Sequence, residues 1–164
     1  MYICKSKEEN FGEIKEIYER AKEFMAENGN PGQWVNGYPY PELILEDIKN
    51  GNSYLVKETP ESEEASGCFV FIKGEDETYR KINGSWLNEK PYGTIHRIAS
   101  KTQGKGIMHL ALEFCFKQTD NLRIDTHENN RVMRSILEKE GFTFCGIIET
   151  HNGTERLAFQ KSLY

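Results

Sequence analysis

The sequence contains no run of about 18 apolar residues, which is the length that a membrane-spanning helix needs. Its first ten residues include two lysines and two glutamates but no apolar block, so the usual pattern of a secretory signal peptide is missing as well. These two absences predict a cytoplasmic protein without a membrane partner.

Dense runs of lysine and arginine are also missing, and the formal net charge is −5 at pH 7. Since nucleic-acid-binding proteins usually carry a basic patch, no nucleic-acid partner is expected. The four cysteines, Cys4, Cys68, Cys115 and Cys145, are far apart and form no Cys-x-x-Cys pair. We therefore expect reduced, mostly buried thiols, with neither a zinc site nor disulfides.

The length and composition of the chain are those of one folded domain. Of the 164 residues, 37% are hydrophobic and 12% aromatic, and no repeat, linker or low-complexity segment is evident. Residue patterns predict helices starting near Lys7, at Pro41, at Ile107 and after Asn130, and strands at 2–5, 53–57, 67–73, 94–100, 122–126, 142–148 and 156–160. This order predicts a single α/β domain over residues 1–164 with one mixed sheet.

Two local signals refine these boundaries. Ser6 and Glu9 have the spacing of a capping box, which is why the first helix is predicted to start near Lys7. Asn83 and Gly84 form a dipeptide typical of tight turns, so a turn is predicted there within a weakly patterned stretch.

The most informative stretch runs from the strand that ends at Ser100 to the helix that begins at Ile107. Between them lies a short loop with two glycines and a lysine, Gln103-Gly104-Lys105-Gly106. The first turn of a helix has backbone N–H groups without partners, and the helix dipole favours negative charge there. The stretch therefore predicts a phosphate or pyrophosphate site at residues 103–108.

Known phosphate-binding patterns narrow the choice of ligand. The chain lacks the Gly, four residues, Gly-Lys-Ser/Thr of ATP-binding loops, and His109 occupies the position of the third glycine in the dinucleotide fingerprint. What remains is Gln-x-x-Gly at 103–106, directly after the Ile98-Ala99-Ser100 strand end. This resembles the coenzyme A loop of the GNAT N-acetyltransferases, Gln/Arg-x-x-Gly-x-Gly/Ala, although Met108 departs from the small residue at its last position.

A second motif resembles the same family. Asn130, Met133 and the run 137–142, Leu-Glu-Lys-Glu-Gly-Phe, look like its strand-Asn-helix-Gly-Phe pattern, and the order of elements is similar across nearly the whole chain. Residues 86–100 and Gln33-Trp34 are similar to a bacterial subgroup, so the chain is identified as a bacterial member of the GNAT superfamily. The resemblance implies a single mixed, mostly antiparallel central sheet flanked by about four helices.

The resemblance also implies an acyltransferase that moves an acetyl group from acetyl-CoA, its co-substrate, to a primary amine of a small molecule or a protein. The reaction is implied to proceed by direct attack and without a metal. The pantetheine chain would lie along Ile98, Ala99 and Ser100, with the backbone N–H of Ile98 as the oxyanion donor, and Asn130 would touch coenzyme A. The residues implied to hold the pyrophosphate are Gln103, Gly104, Lys105, Gly106, Ile107 and Met108.

A base is needed because alkyl amines are mostly protonated at pH 7. His96 is the first candidate, since it lies on the strand beside the implied thioester and the unperturbed pKa of histidine, about 6.5, suits proton transfer near neutrality. The alternative is a core histidine that is hydrogen-bonded across the sheet. His127 is the second candidate, with a loop histidine near the helix start as its alternative.

The acceptor pocket is predicted at the glycine- and proline-rich segment 28–41, which carries aromatic residues between two helices. Gln33, Trp34 and Tyr38 are predicted to bind the acceptor. The alternative is that Trp34 and Tyr38 only pin this segment to the core.

One departure from the family leaves the function open. Many members carry a tyrosine where this chain has Leu137, and leucine cannot give a proton to the leaving thiolate. A water or another tyrosine would then be needed, or the thiolate leaves unaided. With Met108, this departure fits a non-catalytic acyl-CoA-binding module of the same fold. A nucleotide-binding domain of another α/β type is the third alternative. The acceptor and the oligomeric state stay open, with a homodimer through the last strands as one arrangement.

Overall fold

The computed structural model describes residues 1–164 and contains four α-helices and eight strands. The helices are α1 (Phe11–Glu27), α2 (Pro41–Lys49), α3 (Ile107–Phe116) and α4 (Arg131–Lys139). The strands are β1 (Tyr2–Lys5), β2 (Ser53–Lys57), β3 (Gly67–Lys73), β4 (Asn83–Gly84), β5 (Gly93–Ser100), β6 (Asn121–Thr126), β7 (Thr143–Glu149) and β8 (Glu155–Ser162). None of the helices combines the length and the apolar character that crossing a bilayer requires.

All eight strands form one sheet in the order β1-β2-β3-β5-β6-β8-β7-β4. Every neighbouring pair is antiparallel except β5 and β6, which are parallel. The predicted mixed, mostly antiparallel sheet flanked by about four helices is thereby confirmed.

Side chains alternate between the two faces of the sheet, so each face has its own core. Along β3, for example, Phe69 packs with Ile107 and Leu112 of α3, whereas its neighbour Cys68 packs with Ile17 of α1. A third, smaller cluster forms around the fully buried Tyr79, in the loop between β3 and β4. The loop around Tyr79 therefore covers part of the sheet that no helix covers.

The parallel pair β5–β6 separates after only two residue pairs. The register includes Gly93 with Leu122 and Thr94 with Arg123, and no pair follows. On its other side, β5 stays paired with β3 as far as Ser100. The edge of β5 that faces β6 beyond Thr94 therefore has no strand beside it, which leaves a gap in the middle of the sheet.

Two of the predicted boundary signals are wrong. The hydroxyl of Ser6 accepts a hydrogen bond from Ser53 on β2 at 2.8 Å, so its side chain bonds to the sheet and does not cap a helix. Residues Glu8–Asn10 form a 3₁₀ turn, and α1 starts only at Phe11.

The predicted tight turn at Asn83 and Gly84 is instead the short strand β4, which pairs with β7. Gly84 lies opposite Gly146, and both have positive φ angles. A Cβ on either glycine would overlap the backbone of the other strand. The turn-like dipeptide is therefore explained by a close approach of two backbones.

Candidate active site

The predicted anion site has the expected strand, turn and helix. Gly106 precedes α3 with a φ of 70°, in the left-handed region. The N–H of Leu110 bonds to the carbonyl of Gly106, so the N–H groups of the turn before it have no partner within the helix. A Cβ built on Gly104 or Gly106 would meet no atom within 4 Å. The space beside both glycines is thus open, so a phosphate could approach the backbone at the start of the helix closely.

Side chains contribute little to this loop. Ile107 and Met108 are buried in the core beneath α3, so only their backbone faces the loop, and the core accommodates the side chain of Met108. Gln103 is exposed, and Nζ of Lys105 lies 3.6 Å from a carboxylate oxygen of Glu58. The side chain of Lys105, which carries the positive charge of the loop, is therefore half-exposed and lies close to an acidic residue.

A cavity of about 490 Å³ lies where β5 and β6 have separated. Its walls come from the segment between α1 and α2, from β5 and β6, and from the start of α4 and the β7–β8 turn. Six of the predicted site residues line it: Gln33, Trp34, Tyr38, His96, Ile98 and Asn130. The remaining ones, Ala99, Ser100 and residues 103–108, lie along β5 and the loop beyond it, outside the cavity.

His96 lines this cavity and is hydrogen-bonded to Asp76, with 2.9 Å between Nε2 and Oδ2. Asp76 follows β3 in a loop, so the partner of His96 does not lie across the sheet. Burial alone would raise the pKa of Asp76, but hydrogen bonds from His96 and Thr78 hold it at about 2. An ionised carboxylate only accepts hydrogen bonds, so Nε2 of His96 carries the shared proton and Nδ1 is the free acceptor in the neutral ring.

A β-bulge places the residue after His96. Between Cys68 and Val70 of β3, strand β5 has one extra residue, and Arg97 there has a φ of 47°. Its guanidinium forms two bonds to Asp47 of α2, at 2.8 and 2.9 Å, and a third to the hydroxyl of Tyr38 at 3.1 Å. The side chains of Arg97 and Asp47 are only 9% and 8% exposed, so this is a buried, fully paired ion pair.

Gln33 connects the aromatic segment to the end of β6. Its Oε1 accepts bonds from Nδ2 of Asn30 at 2.9 Å and from Nδ2 of Asn130 at 3.0 Å. Asn130 in turn caps α4, because its Oδ1 accepts a bond from the N–H of Met133 at 3.1 Å. Both residues thus have structural roles, while their contacts with acceptor and coenzyme A stay predictions.

The aromatic residues form a chain of edge-to-face contacts. The ring of Trp34 lies 5.4 Å from that of Tyr18 in the core and 6.2 Å from that of Tyr38, which in turn lies 5.8 Å from Tyr40. Trp34, Tyr38 and Tyr40 also line the cavity. Trp34 and Tyr38 therefore pin the segment and form the wall at the same time.

Two further charged residues in the cavity were not predicted. Asp125 on β6 accepts a bond from the hydroxyl of the buried Tyr79 at 2.6 Å. Arg156 on β8 is 7% exposed and donates to the main-chain carbonyls of Gln33 and Glu155. Their alternation with apolar residues on the strands is the only signal for them in the sequence.

Two other residues considered above lie away from the cavity. Nδ1 of His127 accepts a bond from the N–H of Asn129 at 3.0 Å, and burial lowers the pKa of His127. Leu137 is fully buried in the core beneath α3 and α4. Tyr38 and Tyr40 are the tyrosines that line the cavity. No group of three or more His, Cys, Asp or Glu side chains is arranged to hold a metal ion.

Solved structures with a similar architecture include acetyltransferases of the GNAT family. The structure is similar to an acetyltransferase of the GNAT family from Streptococcus agalactiae, with 31% identity, a TM-score of 0.85 and coverage of 98% of this chain and 94% of that chain. A GNAT-family acetyltransferase from Listeria monocytogenes has 18% identity and a TM-score of 0.69, with coverage of 99% and 94%.

The NatB acetyltransferase complex bound to CoA and MES has 17% identity and a TM-score of 0.61, with coverage of 100% of both chains. At the identities of the last two structures, the likeness concerns the fold alone. Neither a protein-family model nor a curated protein matched the sequence.

Proposed function

The chain belongs to the GNAT family of acetyltransferases, and from this premise we propose that it transfers the acetyl group of acetyl-CoA to a primary amine by direct attack. The acceptor would be a small molecule or a protein. The observation that carries the proposal is the gap between β5 and β6, because His96 and Ile98 line the cavity at that gap. A nucleotide-binding domain of another α/β type does not fit this fold.

The donor would occupy the unpaired edge of β5. The backbone of Ile98, Ala99 and Ser100 lies where an extended pantetheine chain could bond like a neighbouring strand. The pyrophosphate would then reach the open loop at 103–108, whose free N–H groups suit an anion. The NatB complex, which shares the fold, is bound to CoA, and this supports acyl-CoA as the donor.

His96 would act as the base. Its Nδ1, left free by the bond to Asp76, would take the proton of the acceptor ammonium, and the neutral amine would attack the thioester carbon. The backbone N–H of Ile98 would stabilise the negative charge that develops on the thioester oxygen. The buried Leu137 gives no proton to the thiolate, which can leave without one because its conjugate thiol has a pKa near 8.5. The second proton of the attacking nitrogen would then pass to the departed thiolate or to solvent, which leaves the amide and free coenzyme A.

The burial of Leu137 also favours a second function. Without a proton donor at this position, the chain could bind acyl-CoA and not catalyse transfer. A non-catalytic module would keep the loop at 103–108 and need no particular residue at position 96. The two functions therefore differ in the effect of changing His96.

The test is the release of free thiol from acetyl-CoA in the presence of a panel of primary amines. We expect release with at least one amine and a fall in kcat of about a hundredfold in His96→Gln. His127→Gln is the matched comparison, since His127 lies outside the cavity, and we expect kcat within about threefold of wild type there. Binding of acetyl-CoA without thiol release for any amine would support the non-catalytic module.

A further inference from the structure

Arg156 carries a buried positive charge that no side chain neutralises. It is 7% exposed and lines the cavity. Two of its N–H groups donate to neutral main-chain carbonyls, those of Gln33 at 2.9 Å and Glu155 at 3.1 Å. These are its only hydrogen bonds within the protein, and its guanidinium forms no salt bridge with a carboxylate.

The other arginine in the same cavity shows what full pairing looks like. Arg97 is bonded through two nitrogens to the carboxylate of Asp47 and through the third to Tyr38. Removing a guanidinium from water costs several kcal/mol unless a counter-charge meets it. Arg97 has this counter-charge within the protein, whereas Arg156 has none in direct contact.

The carboxylate of Asp125 attracts Arg156 but does not form an ion pair with it. Asp125, on the neighbouring strand β6, interacts with Arg156 through space and opposes the lowering of the pKa of Arg156 by burial. It forms no ion pair with Arg156, and its Oδ2 is already bonded to Tyr79. The cavity therefore presents a carboxylate and an unpaired guanidinium on one wall, with His96 on the strand across the gap.

We propose that the acceptor is an amine that also bears a carboxylate, and that Arg156 binds this carboxylate. The inference rests on the proposed function and names the substrate class. Guanidinium and carboxylate match as a planar, charge-assisted pair. The ammonium group of the same molecule would face Asp125 and His96, so both ends of a small amino acid meet a partner. A cavity of about 490 Å³ holds a molecule of this size.

Binding separates this inference from the proposed function. The protein saturated with coenzyme A is titrated calorimetrically with three matched pairs: phenylalanine and phenethylamine, lysine and cadaverine, and γ-aminobutyrate and propylamine. The second member of each pair is the first without its carboxylate. In at least one pair, we expect the carboxylate-bearing member to bind about tenfold or more tightly.

Variants assign the preference to Arg156. In Arg156→Met the preference should disappear, and in Arg156→Lys, which keeps the charge and a donor, part of it should remain. The matched control is Arg20→Met, because Arg20 is a half-exposed arginine paired with Glu16 on α1. Coenzyme A affinity should be equal in all four proteins, which also reports that the variants are folded. If Arg156→Met does not fold, the wild type and Arg156→Lys decide the question.

Each result has one meaning. Equal binding within every pair, no binding of any carboxylate-bearing member, or a preference that persists in Arg156→Met overturns the inference. So does binding of phosphoethanolamine over ethanolamine in the absence of any carboxylate preference. Carboxylate-dependent binding without thiol release supports the inference and contradicts the proposed transfer, whereas thiol release with only the carboxylate-free amines does the opposite.

Discussion

Nε2 of His96 lies 2.9 Å from Oδ2 of Asp76, a residue 20 positions earlier in the chain. The other oxygen of Asp76 accepts bonds from the N–H and the hydroxyl of Thr78, at 2.9 and 2.7 Å. The bonds from Thr78 therefore fix the orientation of the carboxylate independently of its bond to the imidazole. This arrangement orients His96 with one nitrogen free, which a base at the acceptor cavity needs.

Asp76→Asn should make the protein less sensitive to strong acid. Burial acts to raise the pKa of Asp76, but the hydrogen bonds from His96 and Thr78 outweigh it and lower this pKa from 3.8 to about 2 in the folded protein. The ionised group therefore stabilises the fold above about pH 4, and this stabilisation is lost as the pH falls through about 2. Between these values, the free energy of unfolding of the wild type should fall by about 2 kcal/mol more than that of Asp76→Asn.

Urea unfolding at both ends of this pH range measures the difference. Asp120→Asn is the control, since Asp120 is exposed and its carboxylate makes no hydrogen bond. It should follow the wild type. Equal pH dependence of wild type and Asp76→Asn would show that Asp76 is not held by His96 and Thr78.

Gly106→Val should weaken coenzyme A binding tenfold or more, which is about 1.4 kcal/mol. Valine is strained at a φ of 70°, and its branched side chain would enter the open space that the phosphate needs. Gly29→Val is the matched control, because Gly29 has a φ of 81°, equally open surroundings and a position at the end of α1. Calorimetry on both variants decides, and unchanged affinity in Gly106→Val would place the site elsewhere.

Arg97→Met should lower the free energy of unfolding by about 3 kcal/mol, since it leaves the carboxylate of Asp47 buried without a partner. The double variant Arg97→Met/Asp47→Leu removes both charges and should recover most of this loss. Denaturant unfolding of the wild type, Arg97→Met, Asp47→Leu and the double variant gives the coupling energy between the two side chains. Additive losses would mean that the pair does not act as a unit.

Leu137→Ala should cost about 3 kcal/mol of stability, because the side chain is fully buried in the core. Val132→Ala on the same helix is the control, since Val132 is 37% exposed, and it should cost less than about 1 kcal/mol. Thermal unfolding with and without coenzyme A measures both. A small loss in Leu137→Ala, with altered turnover, would instead place Leu137 at the reacting groups.

The parts that the sequence predicts well are those set by local rules. Hydrophobic periodicity located the four helices and the long strands, and Asn130 caps α4 as its position predicts. The loop at 103–106 follows from glycine and the start of a helix. Ser6 shows the limit, because a partner on β2, 47 residues away, takes the hydroxyl that the capping pattern would use.

The charged residues of the cavity lay beyond such rules. Asp76, Asp125 and Arg156 come from a loop and two different strands, and each is defined by a partner far along the chain. Alternation with apolar residues places Asp125 and Arg156 on strands, but no local pattern shows that these two residues and Asp76 meet at one site. Even the position of Arg97 depends on a bulge that appears only when β5 pairs with β3. Only the folded sheet brings these residues to one cavity.

The most direct test of the central claim is a calorimetric titration of the purified protein with acetyl-CoA, with ATP and NAD as controls. The structure and the family predict micromolar binding of acetyl-CoA and no comparable binding of the two nucleotides. No binding of acetyl-CoA would mean that the loop at 103–108 is only a structural turn, and it would contradict acetyl transfer by this protein.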